Sequence, residues 1–264
     1  ISCPRDFDTS RLRNRVRHIY ESLARDPHGD FHFHRGLDYA VERLDYDRAT
    51  LERLPLVATE AFAGVGNPHL GGPARPGESV LDHACGAGMD LLIAAMLVGP
   101  ERRAIGVDLT PGMRARARSA TEALGVSDRV DVRAGMYEEL PVESSSIDVV
   151  LSNGVVNLAP DKSVVFAEIA RVLRPGGRLL LADVVVQREL TLAARADEDL
   201  WAACVAGALH EPELSELAHR HGLENPRIVR RFDAFGGTFA GAKVSKDLRV
   251  SGVAFVATKR GPHT

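Results

Sequence analysis

The chain has 264 residues, a formal net charge of -3, and 45% hydrophobic against 26% charged residues. That is enough apolar material for a packed core, and the length suits one α/β domain with an extra segment or two small domains. Acids and bases are interleaved without a basic stripe, and no apolar run approaches the roughly 20 residues that span a bilayer, so neither nucleic acid nor a membrane is expected as a partner.

In chain order, Asp8 to Leu23 reads as a helix, with Asp8, Thr9 or Ser10 as its cap and Leu12, Val16, Ile19, Tyr20 and Leu23 at helical spacing. After the breaker Asp26-Pro-His-Gly-Asp30, helices are expected over Leu37–Arg43 and Asp47–Ala63, and the Gly/Pro-rich Gly64–Gly77 reads as a linker. The rhythm then changes to alternation. Strands are predicted at Ser79–Asp82, Ala104–Asp108, Val130–Ala134, Ile147–Ser152 and Arg178–Val186. Helices are predicted at Asp90–Val98, Thr110–Leu124 (Thr110 as cap, Pro111 at the first position) and Asp161–Leu173, the last ended by Arg174-Pro-Gly-Gly177. Beyond them, Leu190–Leu209 and Glu211–His221 read as helical, Arg227–Phe232 and Val250–Thr258 as closing strands, and Gly236–Gly241 as a loop or hairpin turn. Alternating strands and helices predict an α/β fold, a mostly parallel sheet with helices on both faces. The division expected is 1–77 as an N-terminal helical cover and linker, 78–186 as the core, and 187–264 as a C-terminal extension that also covers the site.

The three cysteines, Cys3, Cys85 and Cys204, are odd in number and far apart. No disulfide framework is expected, a reducing cytoplasm is the natural setting, and no close Cys/His pair suggests a structural metal site. Residues 1–17 lack an apolar h-region, so no secretory leader is expected, and the opening Ile1 suggests a start further upstream.

The most informative segment is Val80-Leu-Asp-His-Ala-Cys-Gly-Ala-Gly-Met-Asp90, where the first strand meets its helix. Glycines there let a backbone approach a ligand closely, although many such turns use glycine for packing alone. Asp108, about 20 residues on at the end of the second strand, is placed to accept hydrogen bonds from ribose hydroxyls; the plain alternative is a helix cap or a solvated loop acid. The pair would also suit a nicotinamide dinucleotide. Asp82 and Asp90 argue against that, because acids at the turn repel a pyrophosphate and attract an ammonium or a sulfonium.

Asp82-His-Ala-Cys-Gly-Ala-Gly88 resembles the first motif of class I S-adenosylmethionine-dependent methyltransferases, and Gly106-Val-Asp108 the second. Leu151-Ser-Asn-Gly154 and Leu173-Arg-Pro-Gly-Gly-Arg-Leu179 resemble later ones. The resemblance implies a Rossmann-like sheet, S-adenosylmethionine as cofactor and S-adenosylhomocysteine as product. It places Asp82, Ala84, Gly86 and Gly88 in the turn along the methionine part, Asp108 on the ribose with Leu109 beside the adenine, Met136 and Tyr137 flanking that ring, and Asn153 near the sulfonium. Ala84 stands where the family usually has its first glycine, so a slightly shifted turn is expected. Tyr20 resembles a tyrosine that closes over the cofactor, with ordinary helix packing as the alternative.

The resemblance extends to arsenite methyltransferases through Gly64-Val-Gly-Asn-Pro68, Gly88-Met-Asp90, Ser152-Asn-Gly-Val-Val-Asn-Leu158, Pro160-Asp-Lys162 and the stretch around Trp201. Trivalent arsenic is thiophilic and wants two or three converging sulfurs. Cys204 resembles one family metalloid-binding cysteine, but residues 232–258 hold no second one, so the set is incomplete and Cys204 is either a substrate ligand or a small buried residue. In Phe31-His-Phe-His34, an extended backbone would put His32 and His34 on one face and the phenylalanines on the other. The histidines then serve as a general base, an anion or metal site or a polar lid, or belong to a hydrogen-bonded loop; no third ligand is evident and no metal is predicted. The expected function is in-line methyl transfer to a small-molecule acceptor, with His34 or His32 as base where the acceptor needs one and Cys204 as ligand where it is arsenite. A non-catalytic nucleoside-binding protein is the rival from another class. The acceptor and the oligomeric state are left open.

Overall fold

A computed structural model describes residues 8–191, 195, 200–201, 205–237 and 249–261. Its frame is a single sheet whose main path runs β3–β2–β1–β4–β5–β8–β7. The strands are β1 (Val80–Asp82), β2 (Ala104–Asp108), β3 (Val130–Ala134), β4 (Ile147–Asn153), β5 (Leu173–Val186), a short β6 (Leu209–His210) beside β5, β7 (Leu223–Phe232) and β8 (Ser251–Lys259). Strands β1 to β5 pair in parallel, whereas β8 lies antiparallel between β5 and β7. The chain leaves β1 toward β2 on one side and returns to it through β4 on the other. That reversal opens a crevice at the carboxyl ends of β1 and β4, the place where open α/β sheets bind ligands.

The helices follow from sequence. Helix α1 (Thr9–Arg25) starts at Asp8, whose side chain accepts from the Arg11 amide. Helix α5 (Met89–Val98) is apolar almost all round and is buried, as such a helix must be. Helix α6 (Pro111–Leu124) opens on Pro111 and closes on Gly125 in the left-handed region. Helix α7 (Lys162–Val172) is capped by Asp161, and α8 (Glu211–Arg220) carries a capping box between His210 and Glu213.

Three expectations change. The helix expected over 47–63 is broken into α3 (Arg48–Leu51) and α4 (Leu56–Thr59), following α2 (Gly36–Leu44). Pro55 supplies the break, since it has no amide hydrogen and disfavours the helical region for Leu54. The segment expected as a linker is packed into the molecule, with Val65, Asn67 and Pro68 buried and a 3-10 turn at Pro68–Gly71. The helix expected to reach Leu209 does not, because Leu209 and His210 form β6, paired in parallel with Val185 and Val186 at the end of β5. Much of 190–204, with Cys204, and the stretch 238–241 of the predicted loop lie outside the described residues.

One core cluster takes Tyr39, Leu44 and Phe62 from the N-terminal part, Met89 and Leu92 from α5, and Val184, Phe232 and Ala254 from the later strands. The cover therefore shares its apolar interior with the sheet. No described helix is long and apolar enough to cross a membrane.

Candidate active site

The crevice holds a pocket with about 1030 Å³ of empty space, its open mouth included. Its floor begins where β1 ends. The His83 amide donates to the Leu151 carbonyl (3.0 Å) and the Cys85 amide to the Val107 carbonyl (2.9 Å), so the turn is stitched to the ends of β4 and β2. Gly86 and Gly88 adopt φ of +51° and +94°. These left-handed values are what glycine permits and β-carbon-bearing residues resist. Ala84 lacks a positive φ, so its methyl group costs the turn nothing.

Asp108 joins β2 to this turn. One carboxylate oxygen accepts from the Gly86 amide (2.9 Å) and the other from the Thr110 amide (2.7 Å). Burial pushes its pKa up, and these amides pull against that shift. A carboxylate has about four lone-pair directions, so each oxygen can still accept from a ligand hydroxyl. Asp82 is buried on the same floor. Its carboxyl is pushed well above the ordinary range, first by burial and then by the negative charges of Asp90 and Asp108, with the Leu91 and Ala84 amides opposing. Three acids under one small pocket make its floor a site for positive charge.

Asp90 is the hub of the innermost wall. It accepts from the Tyr46 hydroxyl (2.7 Å), the Asn153 side-chain amide (3.0 Å) and His69 Nε2 (3.1 Å). The Tyr46 hydroxyl is held protonated, its pKa pushed well up by burial and then by Asp90. Asn153 in turn accepts from the Val65 amide (2.9 Å) and donates to the Gly66 carbonyl (2.9 Å), while the Tyr39 hydroxyl donates to the Gly64 carbonyl (3.0 Å). Side chains from α2, β4 and α5 thus fasten the 64–66 backbone against the pocket. Asp183 fastens the next turn. Its oxygens accept from the Val156 amide (2.7 Å) and the Asn157 side chain (2.8 Å), fixing the bend that brings Gly154, Val155 and Leu158 to the pocket.

Of the residues singled out from the sequence, Tyr20, Asp82, Ala84, Gly86, Asp108, Leu109, Tyr137 and Asn153 line this pocket together. Gly88 and Met136 stand behind it: Gly88 caps α5, and Met136 bridges to Glu139. Tyr20 stacks on Phe33 with ring centroids 6.3 Å apart. His32 and His34 line a separate open hollow with His28, Arg35 and Glu60. The two-faced alternation expected of an extended backbone is not kept: residues 32 and 33 form a bend, and Phe31 and Phe33, which also pack against the apolar cluster of Leu23 and Tyr20, line the same hollow as the histidines. Phe33 stands between Tyr20 and that hollow, and His34 Nε2 donates to the Gly236 carbonyl (2.8 Å). Cys204 lies outside the described residues. Among the described residues the sole cysteine is Cys85, buried, its thiol pKa pushed well up by burial and the nearby acids. No described group of three His, Cys, Asp or Glu side chains could hold a metal ion.

Sequence reasoning passed over Tyr46, His69 and His83. His83 lines the pocket, is paired through Nδ1 with Ser152 Oγ (3.1 Å), and is kept neutral with a pKa of about 4 by burial. It stands inside the glycine-turn motif, so attention to that motif's non-glycine positions would have found it. Nothing local marks Tyr46 or His69, which reach Asp90 only through the tertiary fold.

A methyltransferase-domain family model matches residues 74–232. The arsenite methyltransferase of Halobacterium salinarum is 38% identical over 243 residues, covering 85% of this chain and 60% of that protein. The nocamycin O-methyltransferase of Saccharothrix syringae is 41% identical over 163 residues, covering 59% and 57%. The crystal structure of an arsenic(III) S-adenosylmethionine methyltransferase from Chlamydomonas reinhardtii superposes with a TM-score of 0.69 at 33% identity, covering 81% of this chain and 73% of that one. The chain thus spans about 60% of the length of the two enzymes matched by sequence.

Proposed function

The chain belongs to the methyltransferase-domain family, and from that premise we propose that it binds S-adenosylmethionine in the crevice pocket and methylates a small molecule. The observation that carries this reading is the floor: an acid-lined glycine turn whose Asp108 bridges Gly86 and Thr110 and still has lone pairs to offer. When bound, the cofactor supplies a methyl group on a positively charged sulfur. Asp108 receives the ribose hydroxyls, and Leu109 and Tyr137 enclose the adenine. Asp82 and Asp90 oppose the positive charges of the amino acid and the sulfonium. Asn153, held between Val65 and Asp90, fixes the part of the pocket wall that would face the sulfonium. The apolar roof of Ala58, Ala61, Phe62 and Val155 excludes water, and the whole arrangement serves alignment more than proton transfer. The acceptor is an organic molecule, as fits the scarcity of thiols: Cys85 is buried and protonated. His32 and His34, the bases expected from the sequence, line the neighbouring hollow and not this pocket, so the reading does not rest on a base.

A second reading, methylation of trivalent arsenic, is favoured by the likeness to the Halobacterium and Chlamydomonas enzymes and rests on Cys204. Calorimetric titration with S-adenosylmethionine tests the common premise: micromolar binding is expected, and no binding overturns it. Mass spectrometry after adding arsenite with glutathione separates the readings, because methylated arsenic would favour the second.

A further inference from the structure

Helix α1 lays one stripe over the pocket. Arg13, Val16, Arg17 and Tyr20 all line it, at spacings of three and four residues that share a helix face. The two arginines sit four apart, a like-charge arrangement that is unfavourable unless something offsets it. Arg13 is partly offset, since its Nη2 donates to Glu138 at 2.8 Å, but its Nε is buried without a partner. Arg17 is exposed and makes no hydrogen bond or ion pair with the described residues. Glu21, one turn further on, is already engaged and accepts from the Gly112 amide (3.1 Å) at the start of α6. An exposed side chain that also lines a pocket stands at its mouth.

The pocket is therefore polarised. Three carboxylates lie on the floor and two guanidiniums at the mouth, and an apolar band of Val16, Ala58, Ala61, Phe62 and Leu158 lines the same pocket. The floor suits the cofactor's cationic end. The start of α5 does not suit an anion, since Asp90 stands in its first turn and the Leu91 amide is engaged by Asp82. The cations of α1 are the part of the pocket that does. From this, and resting on the proposed function, we infer that the methyl acceptor is an amphiphilic anion, with a carboxylate or similar group held by Arg17, supported by Arg13, and an apolar body in the band beneath. A guanidinium offers two parallel donors that match a carboxylate, so Arg17 fixes orientation as well as charge.

The full chain saturated with S-adenosylhomocysteine is titrated calorimetrically with octanoate and, separately, with 1-octanol. Octanoate is expected to bind at least tenfold more tightly. Arg17→Gln is expected to remove that preference while leaving the affinity for S-adenosylhomocysteine within twofold, and Arg17→Lys to restore part of it. Equal binding of acid and alcohol to the unaltered chain overturns the inference. So does a tenfold loss of S-adenosylhomocysteine affinity in Arg17→Gln with the octanoate preference kept, which would assign the cation to the cofactor. If S-adenosylhomocysteine does not bind the unaltered chain at all, the proposed function itself has failed.

Discussion

The floor and the roof of the pocket are built on different principles. The floor comes from strand ends and a glycine turn whose backbone is bonded into the sheet, with Asp108 spanning Gly86 and Thr110. The roof comes from α1 and residues 58–64, which are far from each other and from the strands along the chain. It is held by side chains that reach across the fold, such as Tyr39 to Gly64 and Asn153 to Val65. A floor of this kind fixes a cofactor common to a family, whereas a roof of side-chain contacts can change its lining without unfolding the sheet. On the proposed reading the acceptor is set by the roof, and likeness in the floor carries little information about it.

Perturbing the floor should give the largest effect. Asp108→Asn turns one oxygen into a donor facing a backbone amide, so S-adenosylmethionine affinity should fall at least 100-fold, corresponding to about 3 kcal/mol, as read by calorimetry. A loss below fivefold would mean that Asp108 serves the turn and not the ligand. Asn153→Ala, at the joint of floor and roof, strands the Val65 amide and leaves the Gly66 carbonyl only its longer bond from the Tyr46 hydroxyl (3.3 Å). Thermal and urea unfolding should show about 2–3 kcal/mol of lost stability, with cofactor affinity down about tenfold. An unchanged unfolding midpoint would show that the roof does not depend on this fastening.

A smaller, signed effect belongs to Asp82. Its folded-state pKa is raised, so folding holds its proton more tightly than the unfolded chain does. Its contribution to stability is therefore complete below the ordinary carboxyl pKa and declines as pH rises toward the raised value. In the cofactor-free protein, Asp82→Asn should become progressively more stable than the unaltered chain as pH rises through that window. A bound cation favours the carboxylate, so cofactor binding should release protons and tighten with rising pH over the same range. Tm measured against pH, and calorimetry in buffers of different ionisation enthalpy, check the two halves; an offset that does not vary with pH would defeat the assignment. The smallest effect is expected from the hollow beyond the roof. His32→Ala and His34→Ala should change kcat/KM by less than about threefold if Phe33 keeps them from the acceptor, and a loss of two or more decades would make one of them the base.

Most of the floor is legible along the chain. The glycine turn, Asp108 on its strand end, and the proline and aspartate that start α6 and α7 are local signals, because turns, caps and strand ends are decided by the residues that form them. Pro55 carried a local signal for the split of the 47–63 helix, which the expected single helix passed over. The packed role of 64–69 was not. A run of glycine and proline looks like a linker from its composition, and only the approach of Tyr39, Tyr46 and Asn153 turns its carbonyls and amides into a pocket wall. Asp90 shows the same limit. Its place after the turn is plain in the sequence, but its partners Tyr46, His69 and Asn153 come from three distant elements.

By itself, then, the sequence determined the alternating α/β order, the glycine turn and the acids beside it, because each depends on neighbours within a few residues. Which side chains close the pocket, where the histidines of 28–34 face, and that Arg17 has no partner among the described residues were decided only by the tertiary structure. Those facts depend on the distance between segments that are far apart in the chain, and packing, not local propensity, sets that distance.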